Sequence, residues 1–592
     1  MMQEKKTLYA FETKDDVDFF LKQSSFTPDD WVVALSAQAK AALERHEIIH
    51  TSIEDYYDEA ALMRAAVNSN QVIAELCSEL DRLMGVSIGG VLPPFSAYYY
   101  AGRLRILRDN FLHASFVLEA VITKIKPDRV HLVGTSAANF SEVWVMNVRF
   151  YSWVLKEICE QSQIETHCFH QVVDAVPRLS FRDRMSGSIR RIKNMVRLAL
   201  CTKADLAYYL WPNMPQGSLK KANVDVFRMP SAPLKGAKLE APDLKTTWEY
   251  FSFGVFKLGA LADVYLKAYV TQWRALHEAC LKQYETIVRN KNIRLGVVSA
   301  ALTLEPVALM IALRRAQKQT VALQHGGFVG YCDWTMVPLI DFNANEHYFA
   351  YGPGVNSALR STAEIETPIR AFPVTLHEVG SSSVYDLIQH RKNETNEKPR
   401  VLYVTTFLSG PRRYLGGHLR PDIRYLRTQK AVLETLGRYS ESWETYFRPP
   451  PHPSQALMLE GASENITLCT EGDLVSLLKN VSFDLVVTDS VTTVLLEVIA
   501  TNTNVVTWFD TDVMNLSPEG EKLLEKRADV AFSYEEYLAL IEQALQKKAE
   551  KQSENDIDDS FLMKYALSEG SAPNDRCAEL LLEILEKDKI AD

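Results

Sequence analysis

Phe483-Asp-Leu-Val-Val-Thr-Asp-Ser-Val-Thr-Thr-Val-Leu-Leu-Glu497 contains a strand, a turn and a helix in one short run. Leu485–Val487 is apolar and bounded by polar residues, which predicts a buried strand ending at Thr488. A helical pattern begins near Thr492, so Asp489, Ser490, Thr492 and Thr493 fall on the turn between them. The first N–H groups of a helix lack partners within it, and its dipole favours negative charge there. Hydroxyls and amides at such a turn suit a phosphate. Ordinary N-capping by Ser490 or Thr492 asks for the same residues, and the dipole contributes only ~0.3–1 kcal/mol. Glu497, on the helix that follows, either reaches a ribose or sugar hydroxyl or faces solvent.

The same alternation extends in both directions. Strand Arg400–Thr405, helix Ile423–Tyr439, strands Thr445–Arg448 and Ile466–Cys469, and helix Asp473–Leu478 precede the run; helix Thr492–Thr501 and strand Val505–Trp508 complete it. This pattern predicts a doubly wound, Rossmann-like domain over 400–552. Helical patterns near Tyr534–Lys551 and Asp575–Glu586 close the chain, the latter within a C-terminal helical segment, 553–592. The polar stretch Gln389–Pro399 marks a linker, set at 386–399. Before it, Trp31–Leu35, Arg129–Gly134 and Ile293–Ser299 read as buried strands. Asp55–Met84, Arg103–Lys124, Val143–Glu160 and Trp248–Arg289 read as helices. Residues 1–385 are therefore expected to form an N-terminal α/β domain, with ligands gathering at the carboxyl ends of its strands.

Bulk properties narrow the function classes. At 592 residues the chain exceeds one hydrophobic core. A net charge of −10 argues against nucleic acid as a general partner. The eight cysteines are scattered without a Cys-x-x-Cys pair, which disfavours a disulfide framework or a zinc site and points to a reducing cytoplasm. No signal peptide is visible, and apolar runs such as Val494–Ile499 fall far short of the ~20 residues that span a bilayer. From Arg178 to Lys203, eight basic residues interleave with Ile189, Ile192, Met195, Val196 and Leu198. Such a segment is either a solvated helix face or a basic insertion for an anionic membrane surface. A cytoplasmic protein, or one peripheral at the inner face of the cytoplasmic membrane, is expected.

Several loops carry the candidate chemistry. The apolar run Thr320–Leu323 delivers Gln324 and His325 onto a loop that Gly326 and Gly327 leave almost bare, so that a ligand or another part of the chain comes close. A histidine at a strand end suits proton transfer near neutral pH; the alternative is a core histidine satisfied by a carbonyl. His452, in Phe447-Arg-Pro-Pro-Pro-His-Pro453, is held by prolines with Arg448 just before them; the pair suits a diphosphate or a phosphodiester leaving group, and the alternative is a proline-rich surface turn. Thr405-Thr-Phe-Leu-Ser-Gly-Pro-Arg-Arg413 offers Ser409, Gly410 and Arg412 to a phosphate without a Walker pattern. Glu305 opens a helix after a strand and is the second candidate base. No cluster of metal ligands is apparent, so metal independence and no cofactor are expected.

The order of these motifs resembles the GT-B superfamily, and within it the bacterial cell-surface carbohydrate transferases. In CDP-glycerol glycerophosphotransferases a Trp-His-Gly loop, an Arg-x-His-Pro loop and a Thr-Asp-Tyr-Ser-Ser turn occur in this order. Bacterial sialyl- and Kdo-transferases likewise hold CMP with a His-Pro loop and a Ser/Thr turn. Gln324–Asp341 and Glu346–Gly352 are also similar to O-antigen-type transferases of lipopolysaccharide biosynthesis. The resemblance spans residues 290–510 and implies an α/β, GT-B-like fold: two Rossmann-like domains facing a cleft, with helical insertions in the first. It implies that 1–385 is the acceptor-side domain, with His325 as general base and Gln324, Gly326 and Gly327 beside it, and that 400–552 binds the nucleotide donor, with His452, Ser490, Thr492 and Thr493 holding its phosphate. The implied reaction moves a sugar or polyol phosphate from a CMP-, CDP- or UDP-type donor to a glycan or lipid-linked acceptor. Departures are Gln324 in place of Trp, two extra prolines before His452, and Ser490-Val-Thr in place of Tyr-Ser-Ser. An epimerase or hydrolase on the same fold, or a membrane-associated scaffold, are the other readings of the same chain.

Overall fold

The computed structural model describes residues 6–86, 95–134, 149–170, 203–209, 214–231, 236–237, 239–299, 303–324, 326–332, 345–366, 374–392, 396–406, 408, 421–450, 465–489, 491–547 and 557–591. Three parallel sheets carry the chain. The first contains β1 (Thr7–Phe11), β2 (Trp31–Ala34), β3 (Thr51–Ser52), β4 (Arg129–Gly134) and β5 (Glu165–His170), in the order β3-β2-β1-β4-β5. The second is built from β6 (Leu206–Tyr209) and β7 (Val226–Arg228). After a small antiparallel hairpin, β8 (Ser252–Phe253) and β9 (Phe256–Lys257), it continues through β10 (Leu295–Val298), β11 (Gln319–Leu323), β12 (His347–Ala350) and β13 (Thr375–Glu378). Its order is β13-β12-β11-β10-β6-β7. The third holds β14 (Arg400–Val404), β15 (Glu444–Arg448), β16 (Ile466–Leu468), β17 (Leu485–Thr488), β18 (Asn504–Trp508) and β19 (Asp529–Ala531), ordered β16-β15-β14-β17-β18-β19.

The chain is thus α/β, and its second and third sheets are the two expected Rossmann-like units. Every residue of β10 and β17 is buried, as in parallel sheets covered on both faces. Residues 1–385 contain two separate sheets, because Trp31–Ala34 and Arg129–Gly134 pair with β1 whereas Leu295–Val298 pairs with β6 and β11. Each sheet reverses its winding once: between β1 and β4, between β6 and β10, and between β14 and β17. Loops diverge at such points and leave a crevice for a ligand.

Two long helices expected from periodicity are broken. Asp55–Met84 becomes Glu59–Ala65 and Ser69–Leu83. Trp248–Arg289 becomes a 3-10 stretch, the β8–β9 hairpin with Gly254 at φ +56°, and helices Gly259–Ala268 and Arg274–Asn290 joined by a π-helical turn. The helix in Val143–Glu160 is Phe150–Gln161, and 143–148 lie outside the described residues, as does the basic segment 178–203 except Lys203.

The linker is fastened rather than free. Ser382–Gln389 is helical. Arg391 donates to both Asp559 oxygens at 2.6 and 2.8 Å and to the Ala500 carbonyl at 2.9 Å. Asn396 donates to the Asp484 carboxylate at 2.7 Å and to the Ser482 carbonyl at 3.0 Å. The C-terminal helices Ser560–Tyr565 and Pro573–Ala591 return to the second sheet. There Leu580 and Leu581 join the core around Leu295, Val297 and Val321, and Ser381 N–H donates to the Ala566 carbonyl at 2.7 Å.

The first sheet reaches the third through a carboxylate. Helix Asp422–Arg438 starts after Pro421, which has no side chain to cap it. Glu54 supplies the cap from the first sheet's side: one oxygen accepts from Ile423 N–H at 2.9 Å and the other from Arg424 N–H. Arg427 adds bonds to Asp55 and Ser52 at 3.2 and 3.1 Å. Loss of this cap in Glu54→Ala should cost about 1–2 kcal/mol. Urea unfolding is expected to show a lower midpoint for the variant; an unchanged midpoint would show that the cap contributes nothing to stability.

Candidate active site

At the end of β11 the chain leaves the sheet through Gln324, which is only 5% exposed. Its Oε1 accepts from Tyr351 N–H at 2.8 Å, its Nε2 donates to the Gly326 carbonyl at 2.7 Å, and its own N–H donates to the Phe349 carbonyl at 3.0 Å. The amide therefore anchors both sides of position 325. His325 itself lies outside the described residues.

Gly327 carries the loop onto the third sheet's unit. Its N–H donates to Thr493 Oγ1 at 3.1 Å. A Cβ at this position would stand 2.7 Å from Thr493 Cα and 2.8 Å from Leu496 Cδ1. The glycine is required by close approach, and the partner is the backbone of helix Thr493–Ile499. The loop then continues across the interface: Tyr331 accepts from Ser517 N–H at 2.8 Å, and its ring packs edge-on against Phe561 and Tyr565 at 5.0 and 5.4 Å.

This contact borders a cavity of about 300 Å³ at the carboxyl ends of β10 to β13. Ser299, Gln324, Tyr351 and the Gly380–Ser382 turn form one side, and Thr493 enters from the other unit. Pro573, Asn574 and Cys577 of the last helix complete the wall. The serine turn, and the place at this cavity of the C-terminal helix expected near Asp575–Glu586, were not anticipated from sequence. Gly380-Ser-Ser-Ser383 after a strand was the available signal, whereas a distant helix folding back leaves no local trace.

At the winding reversal of the third sheet, Asp489 is 3% exposed and accepts from the Tyr403 and Tyr425 hydroxyls and from Thr405 Oγ1 at 3.3 Å. Tyr425 also accepts from Thr406 N–H at 2.7 Å, and Gln429 donates to Thr405. Burial, then the Asp489 charge, push the Tyr403 phenol well above its ordinary value, so it remains a donor. Asp489 thus ties the ends of β14 and β17 to helix Asp422–Arg438; these bonds place it in the framework beneath the turn.

Thr492 Oγ1 accepts from Val494 N–H at 3.4 Å as the helix cap, while Thr493 holds Gly327. Arg448 donates to the carbonyls of Cys469, Glu471 and Gly472 at 3.3, 3.3 and 2.6 Å, bracing the turn after β16. Glu497 lies one turn beyond Thr493 and is largely enclosed. Burial pushes its carboxyl up to about 7, with Asp473 acting in the same direction, against the Ser383 hydroxyl and the Arg448 charge. Glu305 stands at the second sheet's reversal, where it hydrogen-bonds Tyr209 at the end of β6. His452, Ser490, Ser409, Gly410 and Arg412 lie outside the described residues.

Two outcomes follow from this geometry. Gly327→Ala forces the loop off the helix and should lower stability by about 1–3 kcal/mol, read as a reduced melting temperature; an unshifted melt would mean that the contact is dispensable. Glu497 binds a proton more tightly folded than unfolded. Its contribution to stability is therefore full below its ordinary value of 4.5 and is lost as pH rises to about 7. The stability of the wild type relative to Glu497→Gln should decline across that window, and a flat difference would contradict the assignment.

No family model matches the chain, and no curated protein matches it. Among solved structures, S. aureus MnaA with UDP aligns at 13% identity over 64% of this chain and 95% of that one, with a TM-score of 0.37. The UDP-GlcNAc 2-epimerase of Methanocaldococcus jannaschii with UDP-GlcNAc and UDP aligns at 14% identity over 64% and 99%, TM-score 0.37. A glycosyltransferase of Rickettsia africae aligns at 10% identity over 65% and 98%, also at 0.37.

Proposed function

We propose that the chain is a transferase that moves a sugar or polyol phosphate from a nucleotide-activated donor to a glycan or lipid-linked acceptor. One observation carries the reading. The loop that holds His325 is fixed by Gln324 and pinned through Gly327 to Thr493, at the edge of the 300 Å³ cavity. The loop that carries the candidate base in sequence is thereby joined, through Gly327, to the helix start at Thr493 on the other sheet's unit, the element read as suited to phosphate.

For sugar transfer, the acceptor hydroxyl oxygen forms the new bond to the anomeric carbon while the bond to the donor phosphate oxygen breaks. The departing nucleotide keeps that electron pair, and His325 takes the hydroxyl proton. For a polyol phosphate, phosphorus replaces carbon as the centre attacked. His452, Ser490 and Thr492 with Thr493 would steady the charge growing on the leaving phosphate. Glu305 is the second candidate base and Glu497 the candidate contact to a ribose or sugar hydroxyl. Ser409, Gly410 and Arg412 would complete the phosphate cradle.

A thermal-shift screen of CMP, CDP, UDP, GDP and dTDP should identify the nucleotide. With the matching donor and acceptor, His325→Ala is expected to keep nucleotide binding and lose roughly 10²–10⁴ in rate. Full activity in that variant removes His325 from the mechanism, and turnover of donor without acceptor replaces transfer by epimerisation or hydrolysis. No shift with any nucleotide, together with tight binding to anionic vesicles, favours the scaffold using 178–203.

A further inference from the structure

We infer that the third sheet's unit carries a second binding site, for a neutral saccharide, beyond the carboxyl ends of β18 and β19. A cavity of about 500 Å³ opens there, between strand ends and helix Asp422–Arg438. That size falls within the range of small-molecule sites, roughly 300–1,000 Å³. Among the described residues, it shares no lining residue with the cavity at Gln324 and Thr493.

The lining combines aromatic surface with groups of both charges. Phe532 and Tyr534, both part-exposed, supply the aromatic surface. Trp508, only 3% exposed, backs Tyr534 at 6.2 Å between ring centroids and stacks on Tyr537 at 5.7 Å and an interplanar angle of 25°. Rigid rings offer apolar area at little entropic cost, and the C–H face of a sugar ring packs well on such area. Asp510 and Asp512 bring acceptors for hydroxyl groups, and Arg424 brings donors.

Charge decides against an anionic ligand. Arg424 already pairs with Asp512 at 2.8 Å and lies 3.8 Å from Asp510. Arg427 pairs with Asp55 at 3.2 Å. Glu535 adds a further negative charge at the rim. A phosphate would face three carboxylates and compete for two guanidinium groups that already have partners. A neutral polyhydroxylated ring uses both signs, donating to the carboxylates and accepting from arginine, without breaking those pairs.

The cavity also communicates with the candidate active site. Asp510 and Asp512 begin a segment whose other end meets the Gly327 loop: Leu516 bridges to Cys332, and Ser517 N–H donates to the Tyr331 carbonyl. A saccharide on the aspartates therefore sits at one end of the segment that holds that loop. The binding inference does not depend on transferase activity, since it follows from the lining alone.

Saturation-transfer NMR on the full chain, with the methyl glycosides of glucose, galactose, mannose and N-acetylglucosamine as probes, tests it. At least one glycoside should bind, and titration should show affinity weakened about tenfold or more in Tyr534→Ala and in Asp512→Asn. Both variants should keep the wild-type melting temperature and any nucleotide-induced shift. Asp512 is partly exposed, so its variant preserves the test if Tyr534→Ala fails to fold. Failure of every glycoside to bind, binding of inorganic phosphate in their place, or glycoside binding unchanged in Asp512→Asn would overturn the inference.

Discussion

The approach of Gly327 to the first turn of helix Thr493–Ile499 is the contact on which the rest of the site depends. Two sheets separated by a fastened linker are brought into register at one backbone position, where no other side chain fits without displacement. The hydrogen bond to Thr493 gives direction to what would otherwise be mere proximity. Gln324 then fixes the loop from its own side, through Tyr351 N–H and the Gly326 carbonyl.

Other contacts keep the two sheets at that distance. The last helix crosses back to the second sheet and buries Leu580 and Leu581 in its core. Glu54 caps a helix of the third unit from the first sheet. Arg391 binds the linker to Asp559. The two polar ties each join a carboxylate to donors far away in the chain, and they oppose relative motion more than the apolar contact does, since hydrogen bonds are directional. The buried Asp489 web has a comparable role within the third unit: it holds two strand ends and a helix together beneath the turn that faces the cleft.

Local structure was widely legible. β17 at Leu485–Thr488, β14 at Arg400–Val404 and helix Asp422–Arg438 lie within a residue or two of their expected bounds. Apolar runs with polar ends and the 3.6-residue period are local properties, and they survive folding when burial agrees with them. The helices broken near Val67 and at Ser252–Lys257 show the limit, since hydrophobic spacing continues across a short hairpin or turn. Among the candidate residues, the strand-end positions of Gln324 and Asp489 and the helix-start position of Glu305 were readable. The carbonyls that occupy Arg448 and the tyrosines that surround Asp489 were not, because those partners come from other elements.

Composition, periodicity and the residue types at strand ends were enough to establish an α/β chain. They could not assign strands to sheets: Trp31–Ala34 and Leu295–Val298 look alike as apolar runs but belong to different sheets, since pairing is a long-range choice among similar edges. Nor could they tell whether Gly327 makes room for a ligand or for the chain. Folding resolved that in favour of the chain, because the helix at Thr493 occupies the space a side chain would need.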